Sequence, residues 1–409
     1  MLEHQRSMVL AESEACEASA VQISATLPRC GHAACRALAG APRRYHANVA
    51  WALPKCLNAR GLRMGKAGEL ALVSAWRPPR GPPNKRPQPG DVDQGRRGIL
   101  EICRTGAAGC LSDKKRMAAF LEAVGAAVWA PTTARSPSEL EDGGPLADAG
   151  SENALWFLKH ARVDNNAGVT VHLGRAACRG AWLSLPEGER EDYVAQREVA
   201  DVLLDAEGRK LTLRVYVLCT VVAATSVDNA AANATRVQAL ARREFVCRAH
   251  PLPYDASDPD PARHVHSTLG KFKAVDCMFG SNWTPSDSLW PEVRRMLTAC
   301  FAPFLPSLAR SELPEGNGAK AVSFTLLGVD VLVDAKLRPW LIEINEGPAL
   351  APVLKNELAT ASREAVVNDV LTATLDPILA AGCVEAAAGP GCGAWETLAE
   401  WSGAASDTG

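Results

Sequence analysis

The stretch LIEINEGPAL, residues Leu341–Leu350, combines the apolar residues of a buried strand with two polar side chains. The side chains of a strand alternate between its two faces, so Glu343 and Asn345 share one face. The same alternation predicts that Ile342 and Ile344 point to the opposite face and pack in the core. Because an ionised carboxylate inside a protein needs an ion partner or a metal, the stretch predicts either a buried ion pair or a metal site.

A second acidic residue, Asp330, lies within the apolar run that precedes this stretch. The short connection Asp334–Arg338 predicts that the two runs pair as a hairpin, which brings Asp330 near Glu343. Two carboxylates and the carbonyl oxygen of Asn345 form a set of hard oxygen ligands that suits Mg²⁺, whose other ligands are commonly waters and nucleotide phosphates. Ion pairs between these carboxylates and buried arginines are the alternative, and spacing alone does not decide between the two.

The composition is that of a globular protein, with 47% apolar and 22% charged residues in a chain of 409. The net charge of −2 gives no reason to expect nucleic acid or an acidic membrane as a partner. Thirteen cysteines without regular spacing, and no secretory signal, predict reduced thiols in the cytoplasm rather than a disulfide framework. No apolar run reaches the roughly 20 residues that a membrane helix needs, so no membrane association is expected.

Changes in composition mark the parts of the chain outside its main domain. Residues 1–76 are Ala-rich and have no assigned role, and residues 77–98 hold six prolines and six Lys or Arg, which predicts a solvated linker. A helical part with a loop follows over residues 99–153. The apolar spacing there predicts a helix over Asp113–Ala127, and the stretch Ser136–Glu152 is predicted to be a disordered loop. Residues 383–409 are predicted to be a flexible tail.

Apolar runs predict a region rich in strands between residue 154 and the tail. The predicted strands are Ala154–Leu158, Val169–Leu173, Tyr193–Val199, Leu211–Ala223, Glu244–Cys247, Val322–Val333 and Trp340–Ile344. The predicted helices cover Trp290–Phe304 and Ala351–Ala381. Such a mixture of strands and helices indicates an α+β or α/β fold.

Four stretches of the chain, taken in order, resemble the tubulin–tyrosine ligase family. FTLLGVDVLVDAKLRPWLIEINEGPAL (Phe324–Leu350) is similar to the family's ATP-binding motif, in which a Gly-x-Asp strand precedes Pro-Trp-Leu-Leu-Glu-Val-Asn. Further family segments are similar to ALWFLKH (Ala154–His160), YVAQREVADVLLDAEGRKLTLRVYVLC (Tyr193–Cys219) and REFVCRAHPLPYD (Arg243–Asp255). Together the four stretches indicate a family domain over residues 154–382.

This resemblance implies an ATP-grasp fold, preceded by a smaller N-terminal region, with a site for ATP and Mg²⁺. The family's metal ligands correspond to Asp330, Glu343 and Asn345. Its nucleotide-binding positions correspond to Lys159, Gln196, Arg197, Val199, Lys210 and Arg214, and its catalytic positions to Arg214 and Arg248. Among apolar neighbours the charge of Arg214 needs an anionic partner, and a phosphate is favoured over a metal carboxylate.

The resemblance also implies the reaction and its partners. The expected activity is that of an ATP-dependent ligase, which joins a free amino acid to a protein through an acyl-phosphate. The implied protein substrate is tubulin or microtubules, with tyrosine, glutamate or glycine added to the tails. An ATP-grasp ligase that acts on a small peptide or another protein is a further interpretation. The implied location is the cytoplasm, in association with the cytoskeleton or the cilium.

Three stretches depart from the family pattern. Thr212 stands where the family has an acidic residue, and VDNNAGVTV (Val163–Val171) keeps only Gly168 of a Gly-rich phosphate loop. The stretch His264–Ser267 ends in serine where the family has asparagine. These departures lead to the alternative hypothesis of a nucleotide-binding pseudo-enzyme that acts as a tubulin- or microtubule-associated module.

Overall fold

The computed structural model describes residues 44–47, 53–64, 71–75, 98–102, 109–146, 153–162, 168–223, 235–265, 277–279, 286–312, 322–348, 350, 357–381 and 394–403. Its strands are β1 (Arg44–Ala47), β2 (Arg63–Met64), β3 (Ala71–Ala75), β4 (Gly98–Ile102), β5 (Thr133–Ala134), β6 (Leu155–His160), β7 (Thr170–Leu173), β8 (Tyr193–Arg197), β9 (Arg209–Ala223), β10 (Thr235–Arg242), β11 (Val246–Pro253), β12 (Cys277–Phe279), β13 (Val322–Val333), β14 (Pro339–Glu346) and β15 (Trp395–Gly403). Its α-helices are α1 (Leu53–Ala59), α2 (Gly109–Ser112), α3 (Lys114–Ala123), α4 (Arg175–Leu183), α5 (Glu187–Arg190), α6 (Pro261–His264), α7 (Ser286–Phe301), α8 (Leu305–Glu312) and α9 (Glu357–Ala381). Single 3-10 turns cover Ala127–Trp129, Pro137–Leu140 and Ala302–Phe304. The predicted α+β class is confirmed.

The larger sheet is built on two long antiparallel strands, β9 and β13, which pair from Val322 opposite Val222 to Leu332 opposite Thr212. The other edge of β9 is paired by β11 near its start and by β10 near its end. The other edge of β13 is paired by β4 at its start and by the antiparallel β14 along the rest. Beyond β4 the sheet continues in parallel through β3, β1 and β2. The N-terminal strands therefore share a sheet with the strands of the predicted site.

A second sheet has four antiparallel strands in the order β5-β8-β6-β7. Helix α4 packs against this sheet, and Trp156, Cys178 and Trp182 form a separate apolar core there. Leu140, which is 1% exposed, joins this core from its 3-10 turn. The prediction of a disordered loop over Ser136–Glu152 is therefore wrong for this turn, because burial of Leu140 holds the segment against the sheet.

Helices α7 and α8 cover the larger sheet. Leu289, Val293, Met296 and Leu297 are buried on one side of α7, at the spacing of an amphipathic helix. They belong to one apolar cluster with residues of β9, β13 and β14. Burial of apolar surface contributes about 25 cal/mol per Å², so this core holds the strands beneath the site in a fixed arrangement.

Asp113, the first residue of the predicted helix, caps the start of helix α3. The carboxylate of Asp113 accepts a hydrogen bond from the backbone N–H of Lys115 at 3.0 Å. Gly125, with a φ of +70°, follows the end of the helix in a conformation that glycine adopts without steric cost. The helix therefore stops at Ala123, before the predicted end at Ala127.

The predicted flexible tail over residues 383–409 is wrong for β15. This strand pairs antiparallel with β10, from Trp395 opposite Arg242 to Gly403 opposite Thr235. Trp395 and Leu398 are buried, whereas the side chains between them are partly exposed. Strand β15 was not predicted from the sequence, because the strand has no continuous apolar run and follows a Gly-rich stretch.

The predicted linker over residues 77–98 lies outside the described residues, apart from Gly98, the first residue of β4. Among the described cysteines, the free thiols are Cys56, Cys110, Cys178, Cys219, Cys247 and Cys300. No described helix combines the length and the hydropathy of a membrane span.

Candidate active site

A cleft of about 760 Å³ lies between the two sheets. Strands β9, β13 and β14 of the larger sheet form its floor, and β6 and β8 of the smaller sheet form a wall. Several predicted site residues line it together, namely Lys159, Gln196, Arg197, Val199, Lys210, Asp330 and Glu343. Residues that lie far apart in the sequence thus meet in one place.

Three predicted residues lie at the edge of this lining. Arg214 and Asn345 contact the carboxylates of the cleft directly, as described below. Arg248 is 7% exposed and lies on β11, opposite Thr212 in the register with β9. Arg248 is therefore beside the cleft and not in its lining, and its catalytic role stays a prediction.

The predicted hairpin of β13 and β14 is confirmed, and one side chain fixes its turn. Asp334 Oδ1 accepts hydrogen bonds from the backbone N–H groups of Lys336 at 2.9 Å and Arg338 at 3.0 Å. This turn sets the register of the two strands, in which Asp330 lies opposite Glu343. The two carboxylates therefore approach each other because of local turn chemistry.

Strand β14 carries a β-bulge at Ile342 that the sequence pattern does not reveal. Asp330 pairs with Glu343, whereas the next residue of β13 pairs with Leu341, so Ile342 is the extra residue. The prediction that Ile342 packs in the core is wrong, because the bulge turns its side chain to the cleft lining. Ile344, which is 2% exposed, packs in the core as predicted.

Arg214 and Asp330 form a buried ion pair. Arg214 Nε donates to Oδ1 of Asp330 at 2.6 Å, and Nη2 donates to Oδ2 at 2.8 Å. Burial acts to lower the pKa of Arg214, but the charge and hydrogen bonds of Asp330 outweigh burial and raise it above its ordinary value. Gly328 leaves room for the guanidinium, since a Cβ there would lie 2.9 Å from Nη1 of Arg214. The interpretation that favoured a phosphate partner is wrong for this structure, because Arg214 pairs with the predicted metal carboxylate.

Glu343 lies between a cation and an amide. The ammonium of Lys114 is 3.3 Å from Oε2 of Glu343, and Asn345 Nδ2 donates to Oε1 at 2.9 Å. Burial acts to raise the pKa of Glu343, but Lys114, Asn345 and Lys159 outweigh burial and hold the pKa at about 2. Glu343 is therefore ionised at neutral pH.

The predicted metal ligands fit a hard divalent cation. Asn345 Nδ2 donates to Oδ2 of Asp330 at 3.1 Å as well as to Glu343, so an NH₂ group lies between two carboxylates. Turning this amide over presents its carbonyl oxygen, which is a ligand for Mg²⁺. In the described part of the chain, no group of three or more His, Cys, Asp and Glu converges on a metal position. A metal here would thus have two carboxylates and one amide, with waters and phosphates as its other ligands.

Lys159 and Lys210 bring two buried ammonium groups to the cleft. Lys159 Nζ donates to the neutral Oε1 of Gln196 at 2.6 Å. Lys210 Nζ lies 4.3 Å from the ring centroid of Tyr254 and 5.6 Å from that of Phe157. Burial lowers the pKa of each lysine to about 8. Within the described ranges neither lysine has a carboxylate at ion-pairing distance, so both favour an anionic ligand.

The side chain of Gln196 is bonded within the protein. Besides accepting from Lys159, its amide donates through Nε2 to Oγ1 of Thr133 at 3.3 Å. Gln196 therefore positions Lys159 in this structure. Contact with an adenine base stays a prediction for Gln196, Arg197 and Val199.

Several lining residues were not predicted from the sequence. Lys114, the first residue of α3, lies outside the four motifs, so no sequence signal marks it. Glu198 accepts hydrogen bonds from the backbone N–H of Leu155 and the hydroxyl of Tyr254, both at 2.8 Å, and so ties the smaller sheet to the segment after β11. Glu198 directly follows Arg197, so an extended reading of that motif would have included it.

Two histidines also line the cleft. The Nε2 atom of His250 lies 2.9 Å from the hydroxyl of Thr212, and both residues are buried. The Nε2 atom of His264 donates to the backbone oxygen of Asp258 at 2.5 Å. Burial and the charge of Lys210 lower the pKa of His264, so its ring is neutral at neutral pH.

Parts of the departing motifs lie outside the described residues, namely residues 163–167 and both His266 and Ser267. Gly168 is described and has a φ of +76°, which suits a turn that only glycine adopts readily. The part that these stretches play stays a prediction.

The two sheets and the cleft between them form an α+β protein, which is consistent with the predicted ATP-grasp fold. The sequence pattern of the Tubulin-tyrosine ligase family matches residues 286–380, which contain β13, β14 and all three predicted metal ligands. Over 32 residues the chain is 53% identical to tubulin polyglutamylase TTLL7 of Homo sapiens. That segment is 8% of this chain and spans only 4% of the length of the relative.

The predicted resemblance to the tubulin–tyrosine ligase family is confirmed by these two matches. The family pattern covers the end of the cleft that holds the predicted metal ligands. The predicted nucleotide-binding residues from Lys159 to Arg214 and the predicted catalytic Arg248 lie before the matched segment, so their roles stay predictions.

Proposed function

We propose that the chain is an ATP-dependent carbon–nitrogen ligase that joins an amino acid to a protein. One observation carries this proposal: Lys159 and Lys210 face the oxygen set of Asp330, Glu343 and Asn345 across a single cleft. Buried ammonium groups suit phosphates, and the oxygen set suits the metal that accompanies them. A nucleoside triphosphate carries phosphates and is accompanied by a metal ion, so it matches both the ammonium groups and the oxygen set.

The proposed reaction has two steps. A substrate carboxylate attacks the γ-phosphorus of ATP, and an acyl-phosphate forms as ADP leaves. The amine of the second substrate attacks the acyl carbon, phosphate leaves, and the nitrogen loses a proton to give the amide. Bound Mg²⁺ would supply positive charge next to the transferring phosphoryl group.

The protein's own residues bind and orient the reactants. Lys159 and Lys210 meet the phosphate charge, and Arg214 holds Asp330 in the orientation that the metal requires. Because charge neutralisation and positioning account for most of such catalysis, the mechanism needs no nucleophilic side chain.

We infer that the protein substrate is the tail of tubulin, on the strength of the family match and of the polyglutamylase relative. The amino acid added would be tyrosine, glutamate or glycine. A protein with these substrates would act in the cytoplasm, at the cytoskeleton or the cilium.

Incorporation of labelled amino acids tests the proposal. Purified chain is incubated with ATP, Mg²⁺, tubulin and tyrosine, glutamate or glycine in turn, and one of them is expected to enter tubulin. Tubulin that lacks its C-terminal tails is the matched substrate control and should take up none. No incorporation of any of the three, on tubulin that a known ligase modifies in parallel, would count heavily against the proposal.

A second candidate, the nucleotide-binding pseudo-enzyme, is favoured by Thr212, an uncharged residue that bonds to His250 on the cleft floor where the family has an acidic residue. A pseudo-enzyme of this kind would bind ATP and tubulin without turning ATP over. Thermal-shift titration with ATP, followed by chromatography of the nucleotide, separates the two. A shift with intact ATP after prolonged incubation with tubulin and all three amino acids supports the pseudo-enzyme.

A further inference from the structure

The two carboxylates of the predicted metal site, Asp330 and Glu343, are already matched by protein cations. Asp330 receives three hydrogen bonds, two from Arg214 and one from Asn345. Glu343 pairs with Lys114 and receives a hydrogen bond from the same amide of Asn345. A free divalent cation would have to displace these donors and separate Arg214 from Asp330, which is costly in a buried site.

The buried ammonium groups of Lys159 and Lys210 in the same cleft, in contrast, have no paired carboxylate among the described residues. Lys159 is bonded to a neutral amide, and Lys210 lies over two aromatic rings. Their pKa values of about 8 reflect burial that no anion offsets fully, although Glu343 and Glu198 raise them in part.

Thr212 keeps the floor of the cleft neutral between two cations. It lies on β9 midway between Lys210 and Arg214, and strand alternation puts all three side chains on one face. Its hydroxyl bonds to His250, so Thr212 adds no negative charge to this position. The cleft therefore has an unmatched positive charge at Lys159 and Lys210 and no unmatched negative charge at Asp330 and Glu343.

From this charge arrangement we propose that the cleft binds a nucleoside triphosphate without a divalent cation, and that Thr212 is the residue that permits it. The metal then joins only with the nucleotide, whose phosphates draw Lys114 from Glu343 and allow Asn345 to turn its oxygen inward. This inference rests on the proposed function, since it concerns the order in which ligands enter the same cleft.

Binding of the unmodified chain gives the first test. ATP affinity is measured by calorimetry in excess EDTA and again in excess Mg²⁺, and Mn²⁺ binding without nucleotide is followed by electron paramagnetic resonance. We expect the two ATP dissociation constants to agree within about tenfold and Mn²⁺ alone to show no saturable binding. ATP binding only with metal, or saturable Mn²⁺ binding alone, overturns the inference and leaves the proposed ligase intact. No ATP binding in either buffer overturns both.

The variant Thr212→Asp gives the second test. A carboxylate between Lys210 and Arg214 would match their charge, so metal-free ATP affinity is expected to fall about tenfold or more, with a smaller loss in Mg²⁺. Thr397→Asp is the matched control, because Thr397 is a strand threonine at a partly exposed position of β15, away from the cleft. Equal losses in both buffers, or no loss at all, contradict the role of Thr212. Should Thr212→Asp fail to fold, the EDTA and Mn²⁺ measurements decide alone.

Discussion

Glu343 is ionised, accepts a hydrogen bond from Asn345 and pairs with Lys114. These contacts make its predicted role as a metal ligand directly testable. Glu343→Gln keeps the shape and removes the charge. We expect ligase turnover to fall about 100-fold or more, with metal-free ATP affinity and thermal unfolding little changed. Glu364→Gln is the control, because Glu364 pairs with Lys55 at 3.0 Å away from the cleft. Full activity of Glu343→Gln would remove Glu343 from the metal ligands.

The buried pair of Arg214 and Asp330 predicts a loss of stability and not only of ligand affinity. Arg214→Ala leaves Asp330 charged and unpaired, which costs about 3–5 kcal/mol of the free energy of unfolding. Urea denaturation measures this loss. The double variant Arg214→Met with Asp330→Leu should lose less than the sum of the single variants, because neither charge remains. An unchanged unfolding curve for Arg214→Ala, together with weaker ATP binding, would instead mean that Arg214 serves the ligand.

The lowered pKa values of Lys159 and Lys210 predict opposite effects of pH on binding and on stability. Both lysines are charged below about pH 8 and neutral above it, so ATP affinity should fall as pH rises through this value. The unfolded chain binds more protons between about pH 8 and pH 10.4, so the contribution of these lysines to the free energy of unfolding rises there.

Titration of ATP affinity by calorimetry from about pH 7 to about pH 10 checks this prediction. Lys159→Met should weaken binding at neutral pH and flatten the profile. Lys336→Met, at an exposed position of the hairpin turn, should leave it unchanged. A wild-type profile that is flat across this range would contradict the assignment of the two lysines to the anion.

At the scale of residues, the sequence predicts where a side chain lies on a strand better than it predicts which residue that side chain pairs with. Strand alternation and a short turn suffice to bring Asp330 near Glu343, because both depend on local geometry. The same pattern allowed two anionic partners for Arg214, a phosphate or a metal carboxylate. The pairing of Arg214 with Asp330 depends on the register of β9 against β13. Lys114 could not be predicted, since a helix outside the motifs carries it into the cleft.

The bulge in β14 gives a test at the scale of a secondary-structure element. Ile344 is fully packed in the core, whereas Ile342 faces the cleft. Ile344→Ala should therefore lower the free energy of unfolding by about 2–5 kcal/mol, and Ile342→Ala by clearly less. Ile342→Ala should instead weaken ATP binding, because it removes part of an apolar wall of the cleft. Urea denaturation and calorimetry of both variants check this, and equal destabilisation would mean that Ile342 is a core residue.

Strands that are buried on both faces were the easiest elements to predict. The bounds of β13, Val322–Val333, agree with its continuous apolar run, and β9 begins only two residues before its predicted start. Strands β10 and β15 were missed because their apolar residues are interrupted by polar ones, and their pairing links residues more than 100 positions apart. Long-range pairing of this kind leaves little trace in a local pattern.

At the scale of the whole molecule, the two ends of the described chain are tied to the central fold. Near the N-terminus, Arg60 after α1 donates to Asp376 of α9 at 2.6 Å and to Asn368 of the same helix at 3.0 Å. Near the C-terminus, β15 covers the edge of β10, where Gln238 donates to Glu400 at 2.6 Å. The predicted domain over residues 154–382 therefore shares strands and helix contacts with both flanking parts.

Removal of β15 is accordingly expected to unfold the larger sheet. A chain that ends at residue 393 exposes the edge of β10 and uncovers Trp290, whose indole donates to Glu396 at 3.1 Å. It also loses Leu398 from the main core. Since native stability is only about 5–15 kcal/mol, this loss should abolish the cooperative thermal transition and promote association through the free edge. Removal of residues 404–409 alone is the control and should preserve the transition. A cooperative, monomeric chain 1–393 that still binds ATP would instead show that β15 is dispensable, as a flexible tail would be.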